Sequence, residues 1–182
     1  MSKSKHVILG VTGSIAAYKA GDIIRRLKDK KYRVSVIMTK EARHFISPLT
    51  LASLSAEKVY EDMFSPDDNA YRMAHIALAE EAQVFLVAPA TANVIGKIAH
   101  GIADDLLTCI AMVTHACVLI APAMNTHMYA NKIVQENMAK LKKLGVRFIG
   151  PDEGKLACGT CGEGHLADVD DIVKAVEQVK QK

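Results

Sequence analysis

Five short runs of apolar, largely β-branched residues punctuate the chain: 6–11 (HVILGV), 33–38 (RVSVIM), 84–88 (VFLVA), 117–121 (CVLIA) and 146–149 (VRFI). Each is too short for a helix and is bounded by small or polar residues, so each reads as a strand. The stretches between them carry a helical period instead. Ile15, Tyr18, Ile23, Ile24 and Leu27 fall near one stripe that ends in Lys and Arg, and this spacing predicts a helix with its apolar face inward. Residues 128–144 and 170–179 read as further helices, while 65–69 (SPDDN) reads as a polar loop. Continuous rather than alternating apolar runs fit a parallel sheet buried on both faces. Strands alternating with helices then give a doubly wound, three-layer α/β domain.

No linker, repeat or low-complexity segment divides the sequence, so all 182 residues are expected to form one domain. The expected architecture is flavodoxin- or Rossmann-like. Such sheets bind ligands beyond the carboxyl ends of their strands. Every predicted loop on that edge carries small or polar groups: Gly13-Ser14, Thr39-Lys40, Pro89-Ala90-Thr91-Ala92-Asn93, Pro122-Ala123-Met124-Asn125, and Gly150-Pro151 leading into a cysteine-containing segment. Gly10-Val11-Thr12-Gly13-Ser14 has neither the G-x-G-x-x-G spacing nor a G-K-[ST] ending. What remains is a tight turn into a helix N-terminus with Ser14 as the capping hydroxyl. With the donors of Thr39 and Thr91-Ala92-Asn93, it suits a mononucleotide better than a dinucleotide.

Composition narrows the class. Hydrophobic content is 50%, charged content 24% and net charge +3, with basic and acidic residues interspersed. That pattern gives no nucleic-acid footprint. The N-terminus carries only a short apolar run broken by Gly10 and Gly13, so neither a signal peptide nor a membrane span is expected, and the expected location is cytoplasmic. The four cysteines are then expected to be reduced. Cys158 and Cys161 form C-x-x-C inside the glycine-rich stretch A-C-G-T-C-G-E-G. Cys109 and Cys117 have the wrong spacing to complete a zinc site, and the pair does not open a helix as a redox dithiol does. A single functional thiol at Cys158 is the preferred reading, as acid, nucleophile or redox group. His75 lies beside Ile76 and Leu78, which are expected to be buried. Asn125 has an amide able to donate to a carboxylate, or simply to shape a turn.

Taken together and in order, V-I-L-G-V-T-G-S-I-A-A-Y-K at 7–19, M-T-K-E-A at 38–42, A-H-I at 74–76, A-P-A-T-A-N at 88–93, G-I-A-D-D-L-L at 101–107, A-P-A-M-N at 121–125 and A-C-G-T-C-G-E-G at 157–164 resemble the flavin-dependent cysteine decarboxylases over nearly the whole chain. The resemblance implies FMN as cofactor and no metal. It implies catalytic roles for His75, Asn125 and Cys158, and flavin contacts at Gly13, Ser14, Thr39, Thr91, Asn93 and Ala123. It also implies three subunits around a three-fold axis with flavin between them, trimers that can pack into dodecamers. The implied reaction is decarboxylation of 4'-phosphopantothenoylcysteine to 4'-phosphopantetheine in coenzyme A biosynthesis. Oxidation of the thiol to a thioaldehyde, loss of CO₂ and reduction of the enethiol are the implied stages. A peptidyl-cysteine decarboxylase, a flavin prenyltransferase and a phosphatase-regulating subunit are the alternatives. Glu80-Glu81 stands where many relatives have a basic residue, and the chain is expected to be a stand-alone form or a domain cut from a ligase fusion.

Overall fold

The computed structural model describes residues 5–63, 74–155 and 161–179. Its elements run β1 (His6–Val11), a 3-10 turn (Ile15–Lys19), α1 (Ala20–Asp29), β2 (Arg33–Met38), a second 3-10 turn (Lys40–His44), α2 (Pro48–Ser55), β3 (Val59–Tyr60), α3 (Ala74–Glu81), β4 (Val84–Ala90), α4 (Ala92–His100), α5 (Leu106–Val113), β5 (Cys117–Pro122), α6 (Thr126–Tyr129), α7 (Lys132–Lys143), β6 (Arg147–Phe148), β7 (Asp152–Lys155), β8 (Cys161–His165) and α8 (Val169–Glu177). Six strands form one parallel sheet in the order β3-β2-β1-β4-β5-β6, and β7 and β8 pair separately as an antiparallel hairpin. That order is the Rossmann one, not the flavodoxin order.

Pleating sends alternate strand residues to opposite faces. Val7, Leu9 and Val11 of β1 join one core with Ile23, Ile24 and Leu27 of α1, Leu51 of α2 and Ile172, Val173 and Val176 of α8. Ile8 joins the other core, with Phe85, Ile95 of α4, Leu107 and Ile110 of α5, and Met138 and Leu141 of α7. All six residues of β1 and all seven of β4 are buried, as a sheet covered by helices on both sides requires. Local signals fix the helix starts. Ser47 with Pro48 opens α2, Asp105 and Thr108 close a reciprocal capping box on α5, and Asp168 caps α8.

Several expectations are corrected. The chain after β1 begins as a 3-10 turn, whose threefold period turns Ile15 and Tyr18 outward to 58% and 59% exposure. Ala17 and Ala20 take the core positions in their place. The helix expected over 128–144 is two helices, because the Asn131 side chain accepts from Ile133 N–H and starts a new one. Ile76 is exposed, although Leu78 is buried as expected. Segment 65–69 lies outside the described residues. No helix among the described residues is long and apolar enough to cross a membrane.

Candidate functional site

The chain leaves β1 towards one face of the sheet and β4 towards the other, so a crevice opens between their carboxyl ends. Thr12 ties the two ends together. It is fully buried, its Oγ1 donates to Pro89 O at 2.7 Å, and the same oxygen accepts from Thr91 N–H at 3.1 Å. Ser14 follows as the cap of the 3-10 turn, accepting from Ala16 N–H. A β-carbon on Gly13 would lie 2.3 Å from Glu41 Cβ, so only glycine lets the β1 and β2 loops approach this closely. Thr91 caps α4 by accepting from Val94 N–H.

The opposite wall is built from two segments distant in sequence. Ala123 N–H donates to Ala90 O at 3.0 Å, holding the loop after β5 beside β4. Met124 N–H donates to Gly164 O at 3.0 Å, docking that loop on β8. Gly164 has φ +135, and a β-carbon there would lie 2.2 Å from Met124 O. A β-carbon on Gly162 would likewise lie 2.8 Å from Thr126 Oγ1. The glycines of the cysteine-containing stretch are thus what allow the hairpin to lie against the 121–125 loop. Asn125 caps α6, its Oδ1 accepting from His127 N–H at 2.8 Å.

Between these walls lies a cavity of about 570 Å³, within the range of small-molecule sites. The structure brings Gly13, Ser14, Thr91, Ala123 and Asn125 to it together. Sequence reasoning did not single out Tyr18, Lys19, Met128 or His165, which also line it. The chain register of the 3-10 turn, invisible in an apolar-stripe count, is what points Tyr18 and Lys19 there.

Other expected site residues fall elsewhere. Thr39 lines a neighbouring cleft with Lys97, Asp104 and Asp105. Lys97 pairs with both carboxylates there; its hydrogen bond to Asp104 raises the lysine above its ordinary pKa and lowers that of Asp104. Asn93, on the first turn of α4, is exposed and lines neither space. His75 is the second residue of α3, and its side chain is outside the described residues. Cys158 also lies outside them, in the stretch the chain enters from β7 and leaves into β8. Cys109 sits on α5, its thiol pushed up in pKa by burial and by Asp105 and Asp104.

The residues present fit a flavin mononucleotide. Thr39 is only 6% exposed, and its Oγ1 has no hydrogen-bond partner among the described residues, a cost that a bound polar group would remove. The cavity wall is apolar over Ile15, Ala16, Ala92, Met124 and Met128, as a planar ring needs, and no Asp or Glu among the described residues lines it. Among the described residues no group of three or more His, Cys, Asp or Glu is placed to hold a metal ion.

A crevice at the switch point of a Rossmann-ordered sheet, with a hydroxyl-rich edge and an apolar wall, defines a nucleotide-cofactor α/β protein. The family model described as Flavoprotein matches residues 1–181, and the chain belongs to that family. It is 47% identical over 177 residues to a probable phosphopantothenoylcysteine decarboxylase of Streptococcus mutans serotype c (strain ATCC 700610 / UA159), covering 96% of this chain and 98% of the relative. It is 47% identical over 178 residues to the coenzyme A biosynthesis bifunctional protein CoaBC of Bacillus subtilis (strain 168), covering 98% of this chain but 44% of that protein. Among solved structures, a PPC decarboxylase mutant complexed with pantothenoylaminoethenethiol superposes with a TM-score of 0.85 at 32% identity, over 96% of this chain and 97% of the other. The FMN binding protein AtHal3 gives 0.84 at 34% identity, over 96% and 95%.

Proposed function

We propose that this protein is an FMN-dependent decarboxylase that converts 4'-phosphopantothenoylcysteine to 4'-phosphopantetheine in coenzyme A biosynthesis. The observation that carries the reading is the docking of the 121–125 loop onto β8 through Met124 and Gly164, which joins Asn125 and the cysteine-containing hairpin on one side of the crevice. The match in length and sequence to a probable phosphopantothenoylcysteine decarboxylase, and the fold shared with an FMN binding protein, support it.

Bound FMN supplies reversible two-electron chemistry, so that an N-acylated cysteine can be oxidised at its sulfur-bearing carbon, lose CO₂ and be reduced again with no net redox change. Gly13, Ser14, Thr91 and Ala123 would hold the cofactor from within the cavity, with Thr39 in the adjoining cleft and Asn93 on the exposed first turn of α4 at its margin. Asn125, which lines the cavity, would orient the substrate carboxylate through its amide. His75 would steer oxidation and decarboxylation. Cys158 would deliver the proton that completes the saturated product.

The reading includes a single domain spanning 1–182, a cytoplasmic location and a homo-oligomer of trimers with a dodecamer as the larger assembly. Ile15, Tyr18 and Met128 are exposed apolar residues at the cavity, which supports a site that a neighbouring subunit covers. Cys158→Ser should still release CO₂ from 4'-phosphopantothenoylcysteine yet accumulate the enethiol; full-rate formation of 4'-phosphopantetheine would remove Cys158 from the role. His75→Asn should retain the yellow cofactor and release no CO₂.

A further inference from the structure

The cavity contains more positive charge than the proposed roles use. Of its lining residues only Lys19 and His165 carry basic side chains, and no carboxylate among the described residues lines it. Lys19 ends the 3-10 turn after β1 and is half-buried. Its ammonium makes no ion pair or hydrogen bond with any described residue. The other half-buried lysines do find oxygen partners: Lys28 donates to Ser55 O and Lys97 pairs with Asp104 and Asp105. A half-buried, unpaired ammonium beside an apolar wall is costly unless a ligand anion completes it.

His165 comes from the other wall, at the end of β8. Two contacts fix its ring. It packs over Gly154 across the hairpin, where a β-carbon would lie 3.2 Å from His165 Cγ, and its Nδ1 is 2.9 Å from Leu166 O. Carbonyl oxygen only accepts, so Nδ1 carries hydrogen and donates. Nε2 is the remaining polar atom of the ring, and it meets a phosphate oxygen by sharing a proton with it.

We propose that Lys19 and His165 recognise the substrate's phosphomonoester and so set the preference of the enzyme for a phosphorylated acyl chain over an unphosphorylated cysteine derivative. This rests on the function proposed above. That substrate has two anionic ends. Asn125 is a neutral amide suited to the carboxylate, which leaves the dianionic end to the Lys19 ammonium and the His165 imidazole on opposite walls. The cofactor also carries a phosphomonoester, and the experiment separates the two sources.

The test uses the FMN-loaded enzyme with 4'-phosphopantothenoylcysteine and with pantothenoylcysteine. In the unmodified protein kcat/KM should favour the phosphorylated substrate. Lys19→Met and His165→Leu should each lower that preference about tenfold or more, mostly through KM. His165→Arg, which restores a cation, should recover it, where a merely structural role for the ring would not be rescued. Calorimetric titration with 4'-phosphopantetheine and pantetheine should show the same loss of discrimination without turnover. Equal losses on both substrates would overturn the proposal. So would a change confined to FMN-against-riboflavin affinity, which would assign these residues to the cofactor phosphate. If the unmodified enzyme decarboxylates neither compound, it is the proposed function that fails; if it decarboxylates both equally well, only the phosphate assignment does.

Discussion

Gly164→Ala is the sharpest perturbation of the wall that joins the two sequence segments. The new β-carbon would start 2.2 Å from Met124 O, whereas ordinary contact begins at 3.4 Å, so hairpin and loop must part by about 1 Å. The φ of +135 adds strain, of about 1–3 kcal/mol for a residue with a side chain. Separation also weakens the bond from Met124 N–H to Gly164 O, worth about 1 kcal/mol. Together these give about 2–4 kcal/mol, or roughly 30- to 1,000-fold in the docking equilibrium. The hairpin can open without the sheet unfolding, so the direct readout is hydrogen exchange at the Met124 amide, which should accelerate by that factor. FMN affinity should fall with it. Gly101→Ala is the control: φ is +70 but no atom lies within 4 Å of the added carbon, so it should cost about 1 kcal/mol and leave Met124 unchanged. Exchange at Met124 in Gly164→Ala within about threefold of the unmodified protein would refute the docking argument.

Thr12→Val keeps the shape but removes, at a fully buried position, the hydroxyl that serves both Pro89 O and the half-buried Thr91 N–H. It should cost about 2–4 kcal/mol, seen as a fall in Tm of roughly 5–15 °C. A second expectation concerns acid stability. His6 is buried at the far end of β1, with Nε2 2.9 Å from Ser35 Oγ, which itself donates to Glu57 Oε2 at 2.8 Å. Nε2 therefore carries the hydrogen, and Nδ1 is buried with no hydrogen-bond partner among the described residues. Burial first and the Arg33 charge second lower the pKa below 6.5, against the opposing Glu57 and Glu81. The unfolded chain then takes up the proton more readily, so stability is full above about pH 6.5 and declines as pH falls through that value. Tm measured from pH 7.5 down to 5.5 should drop more steeply in the unmodified protein than in His6→Gln; parallel profiles would contradict this.

The strands β1, β2, β4, β5 and β6 were legible because each is a continuous apolar run, and burial on both faces demands that pattern. β3 and the β7–β8 hairpin were not legible. Val59–Tyr60 is too short to show a period, and Asp152–Lys155 (DEGK) has no apolar residue at all. Its pairing depends on contacts with β8 and on glycines that fit against Met124 and Thr126, a property of the assembled fold. The convergence of Gly13, Ser14, Thr91, Ala123 and Asn125 could be anticipated, since a parallel sheet gathers the loops at its carboxyl edge. Thr12 was missed because a hydroxyl stitching two strand ends looks like any residue of a turn. Tyr18 was read as core because an α-helical period was imposed on what is a 3-10 turn.

The most direct measurement is mass spectrometry of the product formed from 4'-phosphopantothenoylcysteine by the FMN-loaded protein. A product lighter by CO₂ alone, the saturated 4'-phosphopantetheine, is expected. Unaltered substrate in a demonstrably flavin-loaded preparation, or a terminal product lacking two further hydrogens, would contradict it.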